Sequence, residues 1–292
     1  ADDVRLACAQ VRDARRDVPG IMNADIDYTA RYGLEFNPFL KNSKEITVET
    51  KEYREASFRL DYLNRTKGFG ILTGGPGRGK TTVVRDWSRK LNPAVYKVIY
   101  SSLSTLTVTE FYQNLVTQMG GIPAYQKSKN FRLIQEEILR LSAEKKQTPV
   151  IIIDEANYIS AGILNDMKIL FNFEMDSRDR AVVLLVGLPN LNNTLRLGIH
   201  EPFRQRIVMN YNLDGLTKEE GRRYIAEKLK GAGCTQPVFE DSAVEAILNS
   251  ANGTPRLIGK LCNASLLIGN SSGLETINTD TVMQAVNDCE LG

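Results

Sequence analysis

Histidine and tryptophan are almost missing from this chain: one of each occurs in 292 residues. With His200 alone, a histidine-rich metal centre has no ligand set to draw on. Cysteine is scarce as well. Cys8, Cys234, Cys262 and Cys289 form no C-x-x-C pair, which removes zinc-knuckle and thioredoxin-type sites. Scattered free thiols fit a reducing cytosol. Long apolar runs are also lacking. The longest, 150–153 and 181–186, fall far short of the roughly 20 residues that a bilayer helix needs. No secretory signal is visible, because Arg5, Arg12, Arg15 and Arg16 interrupt the first twenty residues. Finally, there is no dominant charge. The chain has 37 basic and 35 acidic residues, a net +2, so any nucleic-acid contact must come from a local basic patch.

What remains is the composition of a soluble globular protein, 42% hydrophobic and 25% charged. Residues 1–21 are rich in Asp and Arg and read as an N-terminal tail, either appended to the fold or part of it, before Met22. From Gly68 onward strands and helices alternate. The apolar runs 68–73, 95–100, 150–153 and 181–186 read as strands. Amphipathic spacing marks helices through Val84, Trp87 and Leu91, from Leu106 to Met119, from Phe131 to Leu141, and from Ile163 to Phe171. The β-branched run at 150–153 suits a strand covered on both faces. This order implies an α/β fold, a parallel sheet flanked by helices, over 22–212. Beyond it the strands stop. Thr217 with Glu220 reads as a capping box, and Ser242 with Glu245 as a second helix start. Gly253-Thr254-Pro255 precedes a helix through Leu257, Leu261 and Leu266, and 281–286 reads as a last helix. Residues 213–292 are thus expected to form a small all-helical domain.

The strongest chemical signal is Gly74-Gly75-Pro76-Gly77-Arg78-Gly79-Lys80-Thr81, followed by Thr82. It matches G-x-x-x-x-G-K-[ST] and lies between an expected strand and an expected helix. Small residues let backbone N–H groups curl around phosphates, and the helix start adds its positive end. Lys80 is placed to reach the β and γ phosphates of ATP, and the Thr81 hydroxyl to ligate Mg2+. The second signal is Asp154-Glu155 after 150–153, at the sheet edge where ligands bind in open α/β folds. Asp154 is expected in the magnesium shell, with Glu155 orienting or deprotonating the attacking water. Arg204 and Arg206, just before an expected strand at 207–211, are candidates to reach a neighbouring subunit's γ-phosphate. The plain alternative is two solvated arginines. Arg256 could touch the same phosphate from the helical domain or merely cap its helix.

Together these motifs resemble the AAA+ ATPases of the ExeA-like group. The Gly187-Leu188-Pro189-Asn190-Leu191 strand end, the Gly-x-Pro-Arg stretch, and Tyr32-Gly33-Leu34 with Asn37-Pro38-Phe39 add to the likeness over about 30–290. The helical domain would then be the AAA+ lid. Relatives place a polar residue after the glycine that ends the fourth strand. Leu188 stands there, which leaves Asn190 as the candidate phosphate sensor. The group includes secretion-linked ATPases and transposition helpers of the TnsC, MuB and IstB kind. The secretion members are expected to carry a membrane segment and a wall-binding domain that this sequence lacks, which favours the helpers. A replication-initiator relative would carry a winged helix after the lid, and none is read here. The resemblance implies a cytoplasmic ATPase, without a membrane, that forms homo-oligomeric rings or filaments on double-stranded DNA and recruits or activates a transposase. ATP hydrolysis would act as an assembly timer. DNA contact is expected at Ser104 and Thr105 after the second strand, and at Lys127, Lys129 and Arg132, because hydroxyls and cations suit phosphates. The bland alternative there is a solvated polar loop. Tyr125 is expected to pack, Trp87 to cover the sheet, and His200 to be a surface or loop histidine.

Overall fold

A computed structural model of the chain describes residues 27–102, 105–174 and 177–289. The expectation for the 1–21 tail lies outside the described residues. The rest folds as two compact units. One holds residues 47–224 with 251–258, and the other holds 27–46, 225–250 and 259–289. This differs from a single break near residue 213. The segment carrying Tyr32-Gly33-Leu34 and Asn37-Pro38-Phe39 belongs with the helices, and 251–258 belongs with the nucleotide motifs.

The larger unit is a five-stranded parallel sheet: β1 (Gly68–Gly74), β2 (Tyr96–Ser101), β3 (Thr148–Ile153), β4 (Val182–Gly187) and β5 (Ile207–Leu213), in the order β2-β3-β4-β1-β5. Strand alternation divides the core. Ile151 and Ile153 face one side, and Val150 and Ile152 the other. The first side is covered by α3 (Val108–Gln118), α4 (Lys127–Leu139), α5 (Ala161–Leu170), α6 (Asn190–Arg196) and α7 (Glu201–Arg204). The second is covered by α1 (Lys51–Thr66) and α2 (Lys80–Lys90), through Leu60, Leu63, Val83, Val84 and Trp87. Trp87 is buried as expected, and its indole N–H donates to Asp61.

Helix starts follow local chemistry. The Thr50 hydroxyl accepts from the Tyr53 N–H to open α1, a helix additional to those expected. Thr107 and Glu110 form a reciprocal capping box at α3. Thr217 and Glu220 do the same ahead of α8 (Lys218–Gly231). The next helix, α9 (Asp241–Ala251), opens one residue before Ser242. Then come α10 (Pro255–Ser271) and α11 (Thr279–Cys289).

In the smaller unit, residues 27–46 are an integral strap. The Tyr28 hydroxyl and the Asn37 side-chain amide both donate to the Asn263 side-chain oxygen Oδ1 on α10, at 2.7 and 2.8 Å. The Glu35 N–H donates to the Ala232 carbonyl at 2.7 Å. No described helix is long and apolar enough to cross a membrane.

Leu60 has 0% of its surface exposed, beneath the sheet face that carries β1. Leu60→Ala should lower unfolding stability by about 2–5 kcal/mol, read by chemical denaturation.

Candidate nucleotide-binding site

Strand β1 ends in Gly74 at the carboxyl edge of the sheet, and the chain turns there into α2. The turn needs backbone that side chains resist. Gly77 has φ +71° and Gly79 has φ +96°. At Gly77 space is also short, since an added Cβ would lie 2.8 Å from Arg256 Cβ. The Arg256 N–H donates to the Gly77 carbonyl at 3.3 Å, and Arg78 Nη1 donates to the Gly253 carbonyl at 3.1 Å. The Gly253-Thr254-Pro255-Arg256 stretch is thereby fastened to the loop. Helix α2 begins at Gly79 with no side-chain cap, so its first-turn N–H groups remain for an anion.

Pro76, Gly77, Arg78, Gly79, Lys80, Thr81 and Thr82 line a cleft of about 360 Å3 together with Glu155, Leu188, Tyr224, Pro255 and Arg256. The Lys80 ammonium donates to the Gly74 and Gly75 carbonyls at 2.8 and 3.0 Å, which holds it over the loop. Burial pushes its pKa below the ordinary lysine value. Glu155 and Asp154 pull it up, and Arg256 pushes it further down. These four groups therefore share one electrostatic neighbourhood.

Asp154 is buried at the end of β3 with both oxygens engaged. Oδ1 accepts the Glu155 N–H and Oδ2 accepts the Tyr100 hydroxyl, each at 2.9 Å. Glu155 adopts φ +52°, a left-handed conformation uncommon outside glycine, and its exposed side chain enters the cleft. A threonine hydroxyl at the helix start and a fixed carboxylate at the strand end are hard oxygen donors, the type that magnesium takes. The residues present thus fit nucleotide phosphates with a divalent cation.

Other expected site residues lie elsewhere. Asn190 is exposed at the start of α6 and does not line the cleft, where Leu188 does. Asn192 is the residue that reaches inward. Its amide donates to the Thr73 hydroxyl at 3.1 Å, one position before the phosphate loop. Arg204 and Arg206 are not the free surface pair that a trans-acting role needs. Arg204 Nη1 donates to the Arg196 carbonyl at 2.6 Å, at the end of α6. Arg206 donates to the Lys168 and Phe171 carbonyls at 2.6 and 3.2 Å, satisfying the end of α5, and lies over the Phe69 ring. Among the expected DNA contacts, Ser104 lies outside the described residues. Thr105, Lys129 and Arg132 are exposed, but Lys127 pairs with Asp166 and lies over the Tyr112 ring. His200 is inside rather than on the surface. It is 1% exposed, and neither ring nitrogen has a hydrogen-bond partner among the described residues.

Three contributors were missed by sequence reasoning. Tyr100 and Tyr224 carry no motif. Asn157 carries none either, yet its side-chain Oδ1 accepts the Leu188 N–H at 3.0 Å and joins the acidic turn to the end of β4. Tyr100 could have been found from strand register, because it stands opposite Ile152 on neighbouring β3.

The AAA domain family matches residues 63–195, which carry the phosphate loop and Asp154-Glu155. Over these residues the chain is similar to AAA domains. General secretion pathway protein A of Aeromonas hydrophila is 30% identical over 256 residues, 86% of this chain and 46% of its own length. The chain thus spans about half of that relative. The chain also resembles solved structures. The ORC2 protein of Aeropyrum pernix, solved in ADPNP–ADP complexes, has a TM-score of 0.64 at 18% identity, covering 87% of this chain and 72% of that one. Drosophila ORC bound to DNA has a TM-score of 0.65 at 16% identity, covering 93% and 68%. At such identities the likeness is one of fold.

Two substitutions test the geometry of this cleft. Gly77→Ala should weaken ATP binding by at least tenfold in a fluorescent-nucleotide titration while the protein stays folded, because a side chain fits neither φ +71° nor the space beside Arg256. For Tyr100, burial and the neighbouring Asp154 raise the phenol to about 12, so it stays a donor at neutral pH. Tyr100→Phe should raise the magnesium concentration needed for half-maximal ATP hydrolysis while leaving metal-free nucleotide binding unchanged.

Proposed function

We propose that this chain is an ATP-operated switch that assembles on duplex DNA and recruits or activates a transposase. The observation that carries the switch is the convergence of Lys80, Glu155 and Arg256 on one cleft whose loop is fastened to 253–256. A bound triphosphate would be gripped by the phosphate loop and by the start of α10 at once. In this reading Lys80 and the loop N–H groups hold the β and γ phosphates, Thr81 and Asp154 hold Mg2+, and Arg256 meets the terminal phosphate from within the same chain. The metal supplies charge neutralisation on the transferred phosphoryl group. Glu155 orients the water and accepts its proton. Any trans contribution from Arg204 or Arg206 requires release of the helix ends that they now satisfy.

Support for DNA as the partner comes from the motif resemblance to transposition helpers and from the fold likeness to Drosophila ORC bound to DNA. The reading places the protein in the cytoplasm as a homo-oligomer. A second reading is favoured by the 30% identity to General secretion pathway protein A: an ATPase of a secretion complex that binds no DNA.

Sizing with duplex DNA in ATP, a non-hydrolysable analogue, ADP and no nucleotide separates the two. Large DNA-bound assemblies with ATP or the analogue alone are expected. No binding in any state, by folded protein that takes up ATP, would overturn the DNA reading and leave the secretion one. Lys80→Ala should abolish assembly. Glu155→Gln should bind ATP and lock the assembled state, so normal disassembly of that variant would refute a timer role for hydrolysis.

A further inference from the structure

The Glu155 side chain enters the cleft, yet among the described residues no hydrogen bond or ion pair holds its carboxylate. Its aim therefore depends on its backbone. That backbone is in the left-handed region, at φ +52°, and a residue stays there only when its surroundings hold it. Upstream, the Glu155 N–H is tied to Asp154 Oδ1 at 2.9 Å. Downstream lies a single 3-10 turn, Ala156–Tyr158. Its internal bonds run from the Tyr158 N–H to the Glu155 carbonyl and from the Ile159 N–H to the Ala156 carbonyl, both at 3.1 Å. One such turn has poor hydrogen-bond geometry and does not fix itself in place.

The tether to the sheet is Asn157. Its side-chain oxygen accepts the Leu188 N–H at 3.0 Å, just beyond β4. The approach is close enough to need a glycine. A Cβ on Gly187 would lie 2.9 Å from Asn157 Oδ1 and 3.0 Å from the Asn157 nitrogen. Gly187 has no positive φ, so it is the space that a side chain would fill, not the backbone conformation, that calls for glycine there. Leu188 and Glu155 both line the cleft, and Asn157 does not. The Asn157 bond thus joins two parts of the cleft wall from behind.

The other end of this side chain explains why it is an asparagine. Asn157 Nδ2 is buried and has no partner among the described residues, a state that opposes folding. Aspartate would offer the same oxygen without an orphaned donor. It would also add a third carboxylate within four residues of chain, beside Asp154 and Glu155, and like charges so close oppose one another's ionisation. Asparagine supplies the acceptor without the charge.

We infer that Asn157 is a positioning residue for ATP hydrolysis: by clasping the 155–158 turn to the end of β4, it keeps the Glu155 carboxylate where the attacking water stands. This rests on the role given to Glu155 above and names what holds it there.

The test compares wild type, Glu155→Gln, Asn157→Ala, Asn157→Asp and Gly187→Ala in single-turnover hydrolysis at saturating Mg2+, in fluorescent-nucleotide binding and in melting. Asn157→Ala should slow hydrolysis at least roughly tenfold with nucleotide affinity within about twofold of wild type, because misplacing a catalytic group costs rate rather than ground-state binding. Asn157→Asp keeps the oxygen and should regain several-fold of the lost rate. Gly187→Ala pushes the turn back and should show the same split as Asn157→Ala. A wild-type rate in Asn157→Ala overturns the inference. So does a loss of rate matched by an equal loss of nucleotide affinity and left unrescued by the aspartate, which is the pattern of a merely structural residue. If Asn157→Ala is unfolded at the assay temperature, Gly187→Ala decides alone, and a wild-type rate there refutes the clasp. If Glu155→Gln hydrolyses ATP as fast as wild type, the role of Glu155 has failed and the inference with it. If Glu155→Gln is slow and Asn157→Ala is fast, only the inference is wrong.

Discussion

The contact between the Gly77 carbonyl and the Arg256 N–H fixes more of this site than any other interaction, because it ties two distant pieces of sequence to one turn of backbone. Its neighbours follow from it. With α10 starting that close, residue 77 has no space for a Cβ. Arg78, one residue on, reaches the Gly253 carbonyl and closes a second link. The Arg256 charge is thereby held near Lys80, and it helps to push that ammonium's pKa down against the pull of the two carboxylates. The phosphate loop and residues 253–256 therefore act as one wall of the cleft.

The opposite wall depends on how Asp154 is held. A buried carboxylate with unmet lone pairs is costly, and here each oxygen has a donor, one from the backbone and one from Tyr100. The backbone donor belongs to Glu155, whose left-handed conformation costs on the order of 1–3 kcal/mol. That strain sits where the water-orienting carboxylate is proposed, and it turns Glu155 out of the strand direction and into the cleft. Tyr100 comes from a different strand, so the orientation of Asp154 depends on the β2–β3 register as well as on its own turn.

Much of this was legible in the sequence. The phosphate loop, the acidic pair and the strands are local patterns, in which a residue's neighbours in sequence decide its structure. The illegible parts depend on neighbours in space. Nothing in Pro202-Phe203-Arg204-Gln205-Arg206 says that both guanidinium groups will satisfy helix ends from α5 and α6. Asn190 and Asn192 are equivalent as text, and only the turn of α6 sends the second toward Thr73. The strap at 27–46 falls within the 22–212 span expected for the α/β fold, yet its polar groups bond to Asn263 and Ala232 in the helical unit. Tyr125 looked like a packing residue because aromatic side chains usually are. Its exposure follows from Asn130, whose side chain holds Ala124 and turns the loop ahead of α4 outward.

The residue just upstream of the phosphate loop connects that loop to the rest of the sheet edge. Thr73 is fully buried, and a hydroxyl has a single proton to give. That proton goes to the Asn212 side-chain Oδ1 on β5 at 3.0 Å, so the Asn192 side-chain amide must be met by the hydroxyl's lone pair. The directions of the neighbouring bonds are then fixed. Asn212 turns its own side-chain amide to Asp214 at 2.8 Å, and the Asn210 amide donates to the Asn192 side-chain Oδ1 at 3.2 Å. One hydroxyl thus sets the orientation of side chains on β5 and α6 together. Bonds in such a chain polarise one another, so a turn of Thr73 that broke one would weaken the others. Asn192 is therefore linked to the strand that feeds the loop without lining the phosphate cleft. At position 190 the helix points the side chain into solvent instead.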